Sequence, residues 1–149
     1  MTRLFRTWLW IICAAGLLAG CYVPNDPEGT LQKIETDGVL RIGMVADPLP
    51  AADRRAIDQF AESVGARAAY VTGPAHALLA GLEDGQIHLL AGDIPESTPW
   101  SKHAALSNPF PPRVMLPGRS EKRVLLLRKG ENRFLLRLNR SLRQWEQLP

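Results

Sequence analysis

"VLRIGMVADPLPAADRRAIDQFAESVGARAAYVTG", Val39 to Gly73, is the stretch whose reading decides the fold class. Val39 to Ala46 is rich in β-branched and apolar residues with no sustained charge, the composition of a buried strand, and "DPLP" breaks it. In "AADRRAIDQFAESVG", Ala52, Ile57, Phe60, Ala61 and Val64 fall near one helical face. Asp53, Arg54, Arg55, Asp58 and Glu62 fall largely on the other. "RAAYVTG" returns to a strand pattern, so the unit is strand, amphipathic helix, strand.

The alternation continues with "PAHALLAGLEDG" as helix and "QIHLLAGDI" as strand. Repeated βαβ units imply right-handed crossovers and an α/β fold, a three-layer, mostly parallel sheet flanked by helices. In such sheets ligands bind outside the carboxyl ends of the strands. The loops after Ala46, Gly73 and Gly92 therefore form the expected functional edge.

Farther on, "SNPFPPRVMLPGRSEKRVLLLRKGEN", Ser107 to Asn132, reads like two passages set end to end. An apolar loop ends at Phe110, and a strand, Arg123 to Leu127, runs into a helix start at Gly130, with Glu131 near the positive end of the helix dipole. Phe134, Leu135, Leu138, Leu142 and Trp145 are spaced to cover a sheet. Arg133, Arg137 and Arg140 line another face, either a solvated surface or a patch for lipid headgroups or a partner.

Toward the N-terminus, "TLQKIETDG" supplies about two helical turns, capped by Thr30 and closed by Gly38. Residues 21–29, "CYVPNDPEG", have the composition of a tether. Residues 1–20 read as a signal peptide: Arg3 and Arg6 form a positive start, and a short apolar run ends in small residues before Cys21. An uncleaved membrane anchor is the alternative, and either places the domain outside the cytoplasm. The ending Leu18-Ala19-Gly20-Cys21 resembles the lipobox of bacterial lipoproteins. That resemblance implies a diacylglycerol and a further acyl chain such as palmitate on Cys21, and a lipid-anchored protein on the periplasmic side of the cell envelope. Tyr22, where an Asp would hold such a protein at the inner membrane, favours the outer one.

Removing Arg3 and Arg6 takes the 18 basic residues to 16 against 15 acidic ones, so the high pI is partly a signal-peptide effect. The remaining charge is uneven, with 6 basic and 12 acidic residues from Cys21 to Pro112 but 10 basic and 3 acidic from Arg113 to Pro149. Cys13 leaves with the signal and Cys21 carries lipid, so no thiol remains for a disulfide or metal site. Export and the lack of a basic, aromatic-interleaved motif exclude nucleic acid as a partner.

"TLQKIETDGVLRIGMVADP", "GLEDGQIHLLAGDIPESTPW" and "LSNPF", in this order, resemble the opening half of a bacterial extracytoplasmic solute-binding protein of the amino-acid type. "RVLLLRKGENRFLLRLNRSLRQW" resembles its closing strand and helix. Such receptors have two lobes, the second built from about a hundred residues inserted after the "N-P-F/Y" turn. Here only "PPRVMLPGRSEK" intervenes. The expectation is a single lobe, residues 30–149, with 30–110 as its first part, 111–122 as a crossover in place of the second lobe, and 123–149 as the returning strand and helix.

The resemblance implies a substrate-binding component or accessory of a transporter or sensor, with a small polar solute as ligand and a permease, sensor or dimer mate as partner. The alternative is a non-transport interaction lipoprotein using the inherited lobe for a protein or envelope partner. In the family a Thr-x-x-Arg segment clasps the substrate carboxylate. Counted back from Ser107-Asn108-Pro109-Phe110, the arginine position falls on Trp100, so that clamp is missing. The candidate ligand-binding residues are Asp47, Pro48, Asp93, Ser97, Thr98 and Trp100. Asp93 and Glu96 can pair with a cation or sugar hydroxyl, and Trp100 either offers an aromatic face or packs under its loop. A lone lobe presents one wall, which implies weak binding.

No enzyme, cofactor or metal signature emerges. His76, His88 and His103 form no H-x-x-x-H pattern, and G-x-S-x-G and G-x-G-x-x-G are absent. Ser97, Ser101 and Ser107 near His103, or Asp93, Glu96 and His103 as ligands, are groupings with nothing to fix their geometry.

Overall fold

The computed structural model describes residues 26–145. The residues expected to form the signal peptide, Cys21 and the first part of the tether lie outside them, as do residues 146–149.

The chain order is α1 (Thr30–Asp37), β1 (Val39–Met44), α2 (Ala51–Ser63), β2 (Arg67–Thr72), α3 (Ala75–Glu83) and β3 (Leu89–Ala91). A 3₁₀ turn (Pro99–Lys102), β4 (Ala104–Leu106), β5 (Phe110–Leu116), β6 (Arg119–Arg123), β7 (Leu126–Arg128) and α4 (Asn132–Trp145) follow. One sheet has the order β2-β1-β3-β7-β4. β1 pairs parallel with β2 and β3, while β7 lies antiparallel between β3 and β4. Four strands thus run one way, and only β7 returns against them. The fold is the expected α/β class with a mostly parallel sheet.

Helices cover both faces of the sheet. Leu31, Ile34, Ile57, Phe60, Phe134 and Leu138 from α1, α2 and α4 pack on one side with Leu40, Ile42, Leu89 and Leu127. Leu78 and Leu82 of α3 pack on the other with Leu90, Val124 and Leu126. Alternate residues of β3 and β7 feed opposite faces, so these short strands are apolar throughout. Phe60 and Phe134 are fully buried with ring centroids 5.7 Å apart, joining α2 to the returning helix. Each such ring contributes roughly 1.5–3 kcal/mol on burial.

Two local expectations differ from the structure. Asp53 is not on the solvated face of α2 but wholly buried, for a reason given below. Thr30 does not cap α1: Gly29 holds that position in the left-handed region, and Thr30 is the first helical residue. The cap is shared between a near and a distant side chain: Asp26 Oδ2 accepts from Leu31 N at 2.9 Å, while Glu131 Oε1 accepts from Glu28 N at 3.1 Å and Oε2 from Thr30 N at 3.2 Å. Gly38 does close α1, with φ 65° and its N–H on the Ile34 carbonyl.

Residues 111–122, expected as a crossover in place of a second lobe, form most of a β-hairpin, β5 and β6, with Met115 opposite Ser120 and Leu116 opposite Arg119. Arg123, expected to open the returning strand, ends β6 instead. The hairpin leaves the sheet where β4 ends and β7 begins, on the edge formed by the carboxyl ends of β1 to β4.

Candidate functional site

At this edge the backbone after β3 turns sharply beside the loop after β1. Gly92 sits at φ 133°, and a Cβ there would lie 2.6 Å from Ala46 N. Only glycine allows so close an approach. Asp93 follows with φ 54°, a conformation Asp tolerates better than most residues.

Asp93 is held in that conformation by a charge network. Its backbone N–H donates to Asp53 Oδ2 at 3.1 Å, and its Oδ1 pairs with Arg123 Nη2 at 2.5 Å. Arg123 Nη1 lies 2.6 Å from Asp53 Oδ2, and its Nε donates to the Pro112 carbonyl at 3.0 Å. The Arg123 fork thus ties α2, the loop after β3 and the hairpin together. Asp53 has no exposed surface, and its Oδ1 is buried without a hydrogen-bond partner. Burial pushes its carboxyl above the usual range, opposed by the Asp93 N–H and the Arg123 charge.

The hairpin is stitched to the same loop. Val124 N donates to the Ile94 carbonyl at 3.0 Å, Glu96 N to the Lys122 carbonyl at 2.9 Å, and Pro95 bridges Arg123. Glu121 accepts from Ser97 N at 3.3 Å and pairs with Arg119 Nε at 2.8 Å. These contacts hold the hairpin over the loop and leave a cleft of about 410 Å³, floored by Val45, Gly92 and Ile94. One wall is Ser97, Thr98 and Trp100; Leu116 and Arg119 of the hairpin form the other.

Four of the six expected ligand-binding residues, Asp93, Ser97, Thr98 and Trp100, line this cleft. Asp47 and Pro48 are exposed on the same edge, but outside the lining. Asp93 shares the Arg123 guanidinium with Asp53, so its Oδ1 is already engaged in an ion pair while the side chain stays half exposed. Thr98 is buried, and its hydroxyl accepts from Trp100 N at 3.4 Å as the cap of the 3₁₀ turn. Trp100 packs partly against the α3-side core and also lines the cleft.

The other titratable groups go elsewhere. Glu96 faces Lys122 at 3.8 Å and His103 Nδ1 is 3.0 Å from Glu83, so Asp93, Glu96 and His103 have three different partners. His88 precedes β3, at the opposite edge of the sheet. Its ring is buried, with Nδ1 3.1 Å from the Arg41 backbone N–H and Nε2 2.8 Å from the Arg41 guanidinium. A neutral ring can accept at only one of these nitrogens, and a charged one at neither. Burial, then the Arg41 charge, lowers its pKa to about 4.

That shift has a sign. A base whose folded pKa is depressed contributes stability that is complete above its unfolded pKa, about 6.5, and lost as pH falls through the folded value near 4. We expect this one group to remove about 2 kcal/mol across that window. Thermal melts of a His88→Gln variant should show a shallower decline from pH 6.5 to 4 than the parent. Parallel pH profiles would contradict the assignment.

Arg123, Asp53, Leu116 and Arg119 escaped the sequence reading. The one available signal was a pair of charges, Asp53 and Arg123, each next to apolar positions of an element that must be buried.

No family model matches the chain. The membrane-bound lytic murein transglycosylase F of Vibrio cholerae is 28% identical over 101 residues, 60% of this chain. The chain spans only 19% of that curated relative. Among solved structures, the arginine-bound form of domain 1 from the T. maritima protein TmArgBP aligns with a TM-score of 0.64 at 21% identity, covering 75% of this chain and 97% of that one. An ancestral cationic amino-acid solute-binding protein aligns at 0.69 with 13% identity, covering 79% and 94%. The architecture of this chain is that of one lobe of a periplasmic binding protein, and its structural neighbours are lobes of amino-acid-binding proteins.

Proposed function

We propose that the chain is a lipid-anchored, extracytoplasmic solute-binding lobe that takes a small polar solute bearing a carboxylate in the cleft between Trp100 and the hairpin. The observation that carries this reading is the second wall. A lone lobe was expected to offer one surface, but Leu116 and Arg119 face the loop after β3 across the cleft. Arg119 engages Glu121 through Nε, which leaves its terminal nitrogens for a ligand carboxylate. Trp100 and Leu116 suit an apolar body, and Ser97 adds a hydroxyl. That the T. maritima neighbour is an arginine-bound single domain supports a lobe binding without its mate.

In this reading the chemistry of the cleft is recognition, carried by Trp100, Leu116, Ser97 and Arg119 among the described residues. A transporter or sensor would use such a lobe to deliver or report the solute. The likeness to a segment of a membrane-bound murein enzyme favours a second reading, an accessory lipoprotein of an envelope partner. Solute uptake that fails in a strain lacking the chain supports transport, and unchanged uptake with altered murein turnover supports the second reading.

The binding test is calorimetric titration of the purified protein against amino acids and small carboxylates. At least one should bind with a Kd on the order of 0.1 mM, because the cleft is open and buries little of a ligand. Arg119→Ala should weaken binding about tenfold, the usual size of one charged contact at a partly wet site. Its melting temperature should not move, since the side chain is exposed. A panel with no binder, or a variant that binds equally well, overturns the proposal.

A further inference from the structure

We propose that the outer face of α4 rests on the anionic headgroups of the membrane to which the N-terminal segment ties the chain. The proposal rests on that membrane attachment and is independent of the cleft.

α4 carries Arg133, Arg137, Arg140 and Arg143 within 14 residues and no acidic residue. Phe134, Leu138 and Leu142 are buried on its inner side, so the arginines stand away from the core. Among the described residues none of the four is in an ion pair. Arg137 donates to the Ser63 carbonyl at 2.6 Å, closing the end of α2. Arg133, Arg140 and Arg143 are exposed cations. Leu136 is 55% exposed among them, in a shallow groove shared with α1 where Glu35 is the only acid. Cations around an exposed leucine match a headgroup layer, with anions at its surface and hydrocarbon beneath.

The path of the chain adds a second argument. Glu131, one residue before α4, accepts the backbone N–H groups of Glu28 and Thr30, so the chain enters the fold beside the arginine face. The apolar N-terminal run ends at Gly20-Cys21, and the five residues from there to Asp26 span at most about 17 Å. α4 is itself about 21 Å long. Lipid on Cys21 or an uncleaved apolar anchor would therefore hold this helix near the bilayer, where screened attraction over about 8–10 Å can act. β7 ends at this edge of the sheet, with Arg128 opposite the first residue of β4. The cleft lies at the other edge, away from the chain entry.

The test uses the full chain reconstituted in vesicles of phosphatidylcholine alone or with a third phosphatidylglycerol. Arginine modification by phenylglyoxal is followed residue by residue by mass spectrometry. In anionic vesicles Arg133, Arg140 and Arg143 should react roughly 5- to 10-fold more slowly than in neutral ones, Arg113 on the hairpin should be unchanged, and 0.5 M salt should restore the rate. Equal rates in the two membranes overturn the proposal. Protection that is the same in both and grows with protein density assigns the face to a second copy, and overturns it as well.

Discussion

Replacing Arg123 with methionine will lower the unfolding free energy by about 3 to 5 kcal/mol, a large share of the roughly 5 to 15 kcal/mol available to a domain. The substitution keeps the length of the side chain but leaves the Asp53 carboxyl without exposed surface and without its cation, so that ionising it becomes costly. It also releases Asp93 and the Pro112 carbonyl, which the same guanidinium binds. Denaturant titration measures the loss.

The deficit has a pH signature. Without Arg123, the Asp53 pKa rises further above the unfolded value. A group with a raised folded pKa is least destabilising below its unfolded pKa and most destabilising once pH exceeds the folded one. The difference between variant and parent should therefore be largest near neutrality and narrow in acid. An Asp53→Asn substitution in the variant should recover much of the loss, because it removes the orphaned charge and can still accept from Asp93 N. A single variant as stable as the parent at pH 7 would mean that the pair is not buried in solution.

Glu131→Ala is the second large effect, expected to cost about 3 kcal/mol. The backbone N–H of Thr30, the first residue of α1, and that of Glu28 just before it lose their acceptor, and the Thr30 contact is buried. Burial alone would raise the Glu131 carboxyl, but hydrogen bonds from Asp26, Glu28 and Thr30 hold it below the usual range. Asp26 moves the other way, to about 6, through burial and the neighbouring Glu131. A proton on Asp26 shared with Glu131 gives the buried Asp26 Oδ1 a partner it otherwise lacks. Glu131→Gln, which keeps one acceptor, should lose clearly less than Glu131→Ala. Amide exchange at Glu28 and Thr30 should quicken in the alanine variant, while Leu31, held by Asp26, keeps its protection; unchanged protection at Glu28 and Thr30 would show that Glu131 is not their acceptor in solution.

The alternating strands and helices from Val39 to Ile94 were legible because apolar period distinguishes the two kinds of element directly. Ala52, Ile57, Phe60, Ala61 and Val64 are buried as their spacing required, and so are Phe134, Leu138 and Leu142. The edge that carries the cleft was legible too, since a parallel sheet places its loops there whatever their composition. Asp93, Ser97, Thr98 and Trp100 followed from that placement.

The hairpin was not legible. "PPRVMLPGRSEK" has two prolines at its start and little alternation, and its strands are fixed by contacts to Ile94, Glu96 and Ser97, some 24 to 30 residues away in the chain. Asp53 was misplaced for a related reason. Helical period assigns a face by hydrophobicity alone, so a charged residue is sent outward unless its partner is known. Here the partner is Arg123, 70 residues later. Sequence determined the elements, their order and the edge where the cleft forms, because those follow from local pattern and chain connectivity. Only the tertiary structure decided which charges are buried together and that the cleft has a second wall, because such pairings depend on distant residues meeting where water is excluded.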